Sequence, residues 1–353
     1  MKILRYVDVD QETEGSQSVR SALEGSIIGQ SEAVNFFVGL IEKYEARLFD
    51  TKKPIGSVLF TGPTGVGKTR LVESFCESLV GVAKFMMIKV DCGEYQHSHE
   101  ISKLIGSPPG YLGHRETPPL LNKDRIKMLS ADSKWPFAVL LFDEIEKASD
   151  SLWHILLSVL DKGELTTGNN EHVDLTHTVI CMTSNVGSQQ MSAALGLGGL
   201  GFQGIQEGVN NEKIKHIGEE AAKRKFTTEF INRLDAVVAC HALTKEEISR
   251  ILVKELEYLQ KEIWLKCTPV VAFKVSPAAQ AALLEEGYDP KYNARNIKRA
   301  IDKNLRLPLA RVVAAKAIKP NEGMLIDYQN GKYVFAVTNT RMDWSEDDIL
   351  GDR

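Results

Sequence analysis

Gly62-Pro63-Thr64-Gly65-Val66-Gly67-Lys68-Thr69 is a run of residue types suited to one task, holding a chain of phosphates. Glycines let the backbone take positive φ and approach an anion closely. The N–H groups freed at a helix start form a nest, and the helix dipole adds to its attraction for negative charge. Lys68 can reach β- and γ-phosphates, and Thr69 can place its hydroxyl on Mg²⁺. A second set closes the apolar run Ala138-Val139-Leu140-Leu141-Phe142 with Asp143-Glu144. Asp143 can hold Mg²⁺ through its water shell and Glu144 can polarise an attacking water; the alternative is an acid pair that serves a helix dipole. Ser184-Asn185 ends another apolar run, Thr178 to Thr183. The Asn185 amide either orients that water or touches the γ-phosphate, or it is an ordinary turn residue. Arg233, in Phe230-Ile231-Asn232-Arg233-Leu234-Asp235, is either a structural ion-pair partner or a cation offered to a neighbour's phosphate.

These groups need elements to position them. Val58, Leu59 and Phe60 read as a buried parallel strand before the glycine run, and Leu71, Val72, Phe75 and Leu79 recur at helical spacing after it. Phe85–Val90, Ala138–Phe142 and Thr178–Thr183 are further strands, and ligand groups collect at the carboxyl ends of strands in open α/β sheets. A helix is expected from Ser31, with Val34, Phe37, Ile41, Tyr44 and Leu48 near one face. Another carries Leu152, Ile155, Leu156, Val159 and Leu160 behind Ser149 as N-cap. Gly106 to Glu116 holds two prolines and three glycines, so it reads as an exposed loop with Tyr111 at its tip. Met191–Gly204, rich in Gly and Leu, reads as a mobile surface loop. From Leu243 a new segment begins. Thr244 and Glu247 form a capping box, Ser276-Pro277 opens a helix closed by Gly287, a third helix starts near Asn293, and two short strands meet at Asn330-Gly331. Residues 1–25 read as a flexible arm and 341–353 as an acidic tail.

Composition limits the partners. The chain has 353 residues and a formal net charge of −4, so no global basic field favours nucleic acid or an anionic membrane. The five cysteines are scattered without C-x-x-C or zinc spacing, which suits a reducing compartment. No secretory core or bilayer-length apolar run is present in the sequence, and a cytoplasmic address is expected.

The order of motifs resembles the AAA+ ATPases, specifically the second ATPase module of the Clp chaperones and unfoldases, from about Ile27 to Val337. The pieces that carry the likeness are Ile28-Gly29-Gln30, Gly62–Thr69, Pro108-Pro109-Gly110-Tyr111-Leu112-Gly113, Leu141–Ala148, Met182–Asn185, Phe230–Arg233 and Tyr292-Asn293-Ala294-Arg295. The resemblance implies an AAA+ P-loop core with a doubly wound parallel sheet (26–242) and a smaller C-terminal α+β lid domain (243–340). It implies ATP and Mg²⁺ as cofactors, held by Ile27, Ile28, Gly62 to Arg70, Asp143 and Arg295. Thr69 and Asp143 would serve the metal. By the same likeness Asn185 is sensor 1, Arg233 the arginine finger of the neighbouring site and Arg295 sensor 2; with Lys68 and Glu144 they make the catalytic set. Tyr111 and Leu112 match the aromatic pore loop that grips unfolded polypeptide. The implied function is an ATP-dependent unfoldase or remodelling chaperone working as a homo-hexameric ring on unfolded or tagged proteins.

Two departures stand out. Thr117-Pro118-Pro119-Leu120-Leu121-Asn122 replaces the family's usual continuation after the pore loop, and Asn293 replaces a glycine before Ala294-Arg295. The chain also carries no first ATPase module, so it is expected to be either a single-ring protein or a fragment. Leu200-Gly201-Phe202 and Leu195-Gly196-Leu197 fit the tripeptide on which Clp-type peptidases dock, although such a match is weak in a Gly/Leu-rich loop. Two rival functions remain on the same module. A nucleic-acid motor or loader would need basic or hairpin pore elements in place of Gly110-Tyr111-Leu112-Gly113. A nucleotide-gated scaffold would have no use for Glu144 as a base.

Overall fold

In the computed structural model the described residues are 11–107, 119–132, 134–194, 211–266, 272–289, 293–319 and 322–338. They fall into two compact units, Met1–Pro63 with Gly67–His241, and Thr64–Val66 with Ala242–Arg353.

The first unit begins with helix α1 (Glu14–Ser26), where a flexible arm was expected. Thr13 caps it by accepting from the Ser16 N–H, and Val19 and Leu23 are buried against neighbouring helices. The two lie one helical turn apart, Ser16 and Arg20 add hydrogen bonds to Glu42 and Asn35 of the next helix, and so sparse an apolar signal is hidden in a polar stretch. Helix α2 (Ser31–Glu45) follows, then strand β1 (Gly56–Thr61), helix α3 (Lys68–Val80) and strand β2 (Met87–Asp91). Leu48 lies beyond the end of α2 and is 76% exposed, so it does not belong to the buried face assigned to it. Phe85 is likewise exposed in a short 3₁₀ turn before β2. Next come α4 (Ile101–Ile105), α5 (Lys123–Leu129), β3 (Ala138–Asp143), α6 (Asp150–Lys162), a hairpin of β4 (Glu164–Thr166) and β5 (His172–Asp174), and β6 (Thr178–Ser184). Helix α7 (Ser188–Ala194) replaces the start of the loop expected from Met191, whose side chain is fully buried. Helices α8 (Asn211–Lys225) and α9 (Thr228–Ile231) lead to β7 (Ala236–Ala239).

Among the described residues, β2-β3-β6-β1-β7 form one sheet in that order, with every pairing parallel. The strands β1 and β6 are buried along their whole length, as continuous apolar runs in a central parallel sheet should be. Alternate residues feed two cores. Phe60 packs with Phe37 of α2, which stacks on Phe75 of α3 at 4.1 Å between ring centroids. Leu59, Leu140 and Ile180 belong to a cluster with Leu152, Leu156 and Val159 of α6.

The second unit holds α10 (Lys245–Lys266), β8 (Ala272–Val275), α11 (Pro277–Gly287), α12 (Arg295–Ile301), a π turn at Asp302–Arg306, α13 (Leu307–Ala314), β9 (Gly323–Gln329) and β10 (Lys332–Thr338). Thr244 and Glu247 form the reciprocal capping bonds that the sequence predicts. The β9–β10 turn uses positive φ at both Asn330 and Gly331, the type I′ requirement. Strand β8, which sequence reasoning missed, pairs parallel with β9. Asn293 takes φ 48 and accepts from the Leu243 N–H at 3.0 Å, so the asparagine at the glycine position both adopts the left-handed conformation and anchors the start of this unit.

Candidate nucleotide site

Register gathers the chemistry. Thr61 pairs with Ser184, Phe142 with Met182, and Asp91 with Asp143, so β1, β6, β3 and β2 end nearly level. The chain departs from β1 to the far edge of the sheet and returns through β3 and β6, while β7 lies on the other side of β1. Such a reversal of winding opens a crevice at the strands' carboxyl ends. Gly62, Asn185 and Glu144 are the first residues after β1, β6 and β3.

The loop after β1 is shaped by close approach. A Cβ on Gly62 would lie 2.2 Å from the Cys240 carbonyl oxygen, and Gly62 itself has φ +140. Lys68, only 8% exposed, donates its Nζ to the carbonyls of Gly62 and Pro63 at 2.7 and 2.8 Å and to Asn185 Oδ1 at 3.0 Å. Burial holds its ammonium below the ordinary lysine value, while Cys240 and the acids Glu146, Asp143 and Glu144 oppose that shift. The Lys68–Asn185 bond ties the phosphate loop to the end of β6.

Thr69 donates Oγ1 to Asp143 Oδ1 at 3.0 Å, Thr183 donates to the same oxygen, and Lys89 reaches Asp143 Oδ2 at 3.1 Å. Burial pushes the Asp143 carboxyl upward, but Thr183, Lys89 and Thr69 outweigh it and hold the group below the usual carboxylate range. A hydroxyl and a carboxylate in contact are the hard oxygen donors that suit Mg²⁺, which takes few protein ligands and keeps several waters. Among the described residues no cluster of three His, Cys, Asp or Glu offers an all-protein metal cage. The stabilisation from ionised Asp143 is fully present above the unfolded value of about 3.9 and is lost as pH falls toward its lowered folded value. Asp143→Asn is therefore expected to lower unfolding stability by about 1–3 kcal/mol at neutral pH. In urea titrations the gap from the parent should narrow below about pH 4; a gap constant with pH would show that the charge contributes nothing.

Glu144 takes φ 56, a left-handed conformation that a non-glycine residue holds at a cost of about 1 kcal/mol or more. Its N–H donates to Thr183 Oγ1, its Oε1 accepts from Asn185 Nδ2 at 3.2 Å, and Lys147 pairs with Oε2. Trp153 Nε1 braces the turn through the Ile145 carbonyl at 3.1 Å. Glu146 Oε1 accepts from the Asn185 N–H at 3.0 Å, so it orients the residue that meets both Lys68 and Glu144. Sequence reasoning gave Thr183, Lys89 and Glu146 no separate roles. Thr183 and Lys89 act across strand neighbours, and only the register shows it.

Ile27 and Ile28 are buried in the link between α1 and α2, where Gln30 exchanges two hydrogen bonds with the His241 backbone. Arg70 pairs with Glu77 at 2.9 Å. Arg295 opens α12 in the second unit. Arg233 pairs with Asp161 Oδ2 at 3.2 Å and Glu229 Oε1 at 2.8 Å and meets the Leu157 carbonyl, so within one chain the ion-pair alternative is the one realised. Tyr111, Leu112, Leu195-Gly196-Leu197 and Leu200-Gly201-Phe202 lie outside the described residues. Cys76, Cys92, Cys181 and Cys240 are buried and unbridged, and burial pushes the Cys240 thiol up to about 12.

A parallel sheet with a glycine loop at its switch point, a buried lysine and an acid pair at the end of β3, one strand removed from β1, defines a phosphate-loop nucleotide-binding domain. The chain belongs to the family described as AAA domain (Cdc48 subfamily), which matches residues 53–237. Residues 243–326 match the C-terminal, D2-small domain of ClpB protein. Similar proteins include the ATP-dependent Clp protease ATP-binding subunit ClpC of Staphylococcus saprophyticus, 36% identical over 338 residues, 95% of this chain and 39% of that protein. The subunit of the same name in Staphylococcus aureus is 38% identical over 304 residues, 86% of this chain and 35% of that protein. The chain thus spans well under half the length of these relatives. No helix among the described residues is long and apolar enough to cross a membrane.

Proposed function

We propose that the chain is an ATPase of the Clp type that couples hydrolysis to the unfolding or remodelling of polypeptides, in a ring of identical subunits in the cytoplasm. The connected set Lys68–Asn185–Glu144 beside Thr69–Asp143 carries this reading. Mg²⁺, held by Thr69 and Asp143, would neutralise charge on the β- and γ-phosphates. Lys68 exchanges its loop carbonyls for phosphate oxygens, and the loop N–H groups hold the remaining charge. Glu144 takes the proton of the attacking water, and Asn185 sets the direction of that carboxylate. Arg233 serves the nucleotide of the adjacent subunit, and Arg295 reports the γ-phosphate. A head-to-tail interface of that kind closes into a ring.

Tyr111 and Leu112 grip the substrate chain, since a large aromatic side chain offers both apolar area and a polar tip without sequence preference. The similarity to ClpC subunits also supports a peptidase partner, with Leu200-Gly201-Phe202 as the docking tripeptide. The test is ATP-dependent unfolding of a degron-tagged fluorescent protein. Tyr111→Ala is expected to keep most ATP turnover and to lose unfolding at least tenfold. Equal loss of both activities would remove the pore role. Salt-sensitive binding of DNA or RNA at the same loop would favour a nucleic-acid motor instead.

A further inference from the structure

At the amino ends of the central strands, the opposite end of the sheet from the phosphate loop, lies a cleft of about 1170 Å³. Pro136 and His177, which lead into β3 and β6, line it along with the end of α2, the segment after α2, and α5. Its walls carry four cations from separate stretches of chain, Arg47, Lys123, Lys127 and Lys134. Among the described residues Arg47, Lys123 and Lys127 form no ion pair. The two acids that share the lining are already engaged: Glu45 accepts from the Thr13 hydroxyl, and Asp174 accepts from the Thr176 N–H and hydroxyl at 2.9 and 2.7 Å. Four cations against two carboxylates leave positive charge in excess around the cavity, in a chain whose net charge is negative.

The aromatic lining narrows the kind of partner. Tyr44 stacks on Phe49 at 5.6 Å with an interplanar angle of 14°, and Trp135 is 4% exposed with Lys134 Nζ 5.3 Å from its ring centroid. Nucleobases need open ring faces to stack on. Here one face of Tyr44 and one of Phe49 are taken up by their mutual stack and Trp135 is buried, which leaves little open ring surface for a base. A phosphodiester chain also carries a charge at every link and would meet Glu45 and Asp174 as repulsion. A polypeptide with spaced carboxylates places negative charge only where the cations are, and it lays leucine or phenylalanine side chains against the aromatic lining.

We propose that this cleft is a docking site for an acidic polypeptide segment that interleaves Asp or Glu with large apolar residues. It is separate from the nucleotide site and independent of the ATPase reading. Ion pairs at exposed positions are individually weak, so binding requires several at once and weakens with salt.

The probe is a short fluorescein-labelled peptide that alternates Glu with Phe and Leu, read by anisotropy against the full chain. A counterpart with Gln for every Glu and a single-stranded oligonucleotide of equal charge serve as comparisons. The Glu peptide is expected to bind at least tenfold tighter than either. The double variant Lys123→Glu, Lys127→Glu should lose about tenfold, and Arg47→Glu on its own should lose less. Neither lysine touches the phosphate site, so ATP turnover and the thermal midpoint of the double variant should match the parent and certify its fold. Equal binding of the Glu and Gln peptides, unchanged affinity in the folded double variant, or tighter binding of the oligonucleotide would each overturn the proposal.

Discussion

Glu144→Gln is expected to slow ATP turnover by roughly 10²- to 10⁴-fold, the range a positioned general base supplies, while nucleotide affinity is nearly unchanged. The two effects separate because Glu144 is not among the groups proposed to hold phosphate. Lys68 and the loop N–H groups do that, and Lys68 bonds to Asn185 rather than to Glu144. Gln keeps the side-chain volume and can still meet the Asn185 amide, which contacts Glu144 Oε1 at 3.2 Å. It also leaves the φ 56 backbone as it is. What it loses is the capacity to take a proton from water. Phosphate release under saturating ATP measures the first quantity, and titration with a fluorescent nucleotide measures the second. A variant that retains turnover would move the base elsewhere. Glu146 is the neighbouring candidate, because its Oε2 is buried without a hydrogen-bond partner. Glu146→Gln should instead act through Asn185, whose N–H it holds, and cost less than the Glu144 change.

The residues that do local work were legible in the sequence; those that act across strands were not. Gly62–Thr69 announces a phosphate loop because every residue type in it has a backbone or charge reason that needs no tertiary context. The place of Asp143 and Glu144 was legible because an apolar run that stops on two acids marks the carboxyl end of a buried parallel strand. Thr183 was not: a threonine inside a buried strand looks like any β-branched residue, and only the pairing of β3 with β6 brings its hydroxyl to Asp143 and to the Glu144 N–H. Lys89 was hidden for the same reason, on the outward face of the edge strand β2. Helix α1 was missed because two buried apolar residues, Val19 and Leu23, are too few to stand out among polar neighbours. The β4–β5 hairpin, with three residues per strand, offers too short an alternation to be read before its partner is known.

Arg233→Ala is expected to lower turnover by roughly 10³-fold, at the lower end of what an arginine supplied to a transferring phosphoryl group contributes. Subunit mixing shows which chain's nucleotide it serves. The guanidinium follows α9 and precedes β7, and β7 runs parallel to β1 with Ala236 beside Val58 and Ala239 beside Thr61. Arg233 therefore enters the sheet at the end where β1 starts, whereas the phosphate loop leaves where β1 finishes. At about 3.3 Å per residue, six residues of strand put the two ends roughly 15 Å or more apart. Among the described residues of its own chain, Arg233 pairs with Asp161 and Glu229, whose side chains are 42% and 62% exposed, and donates to the Leu157 carbonyl at 3.4 Å. Each such pair contributes at most about 1 kcal/mol, so a docking subunit can redirect the side chain cheaply. Lys68→Ala and Arg233→Ala should each be inactive alone. Mixed in equal amounts they should regain activity, because a site built from the intact Lys68 of one subunit and the intact Arg233 of the next is whole. Random assortment around a ring makes about a quarter of the sites whole. If the arginine acted within its own chain, no mixture would contain a complete site and the mixed sample would stay inactive.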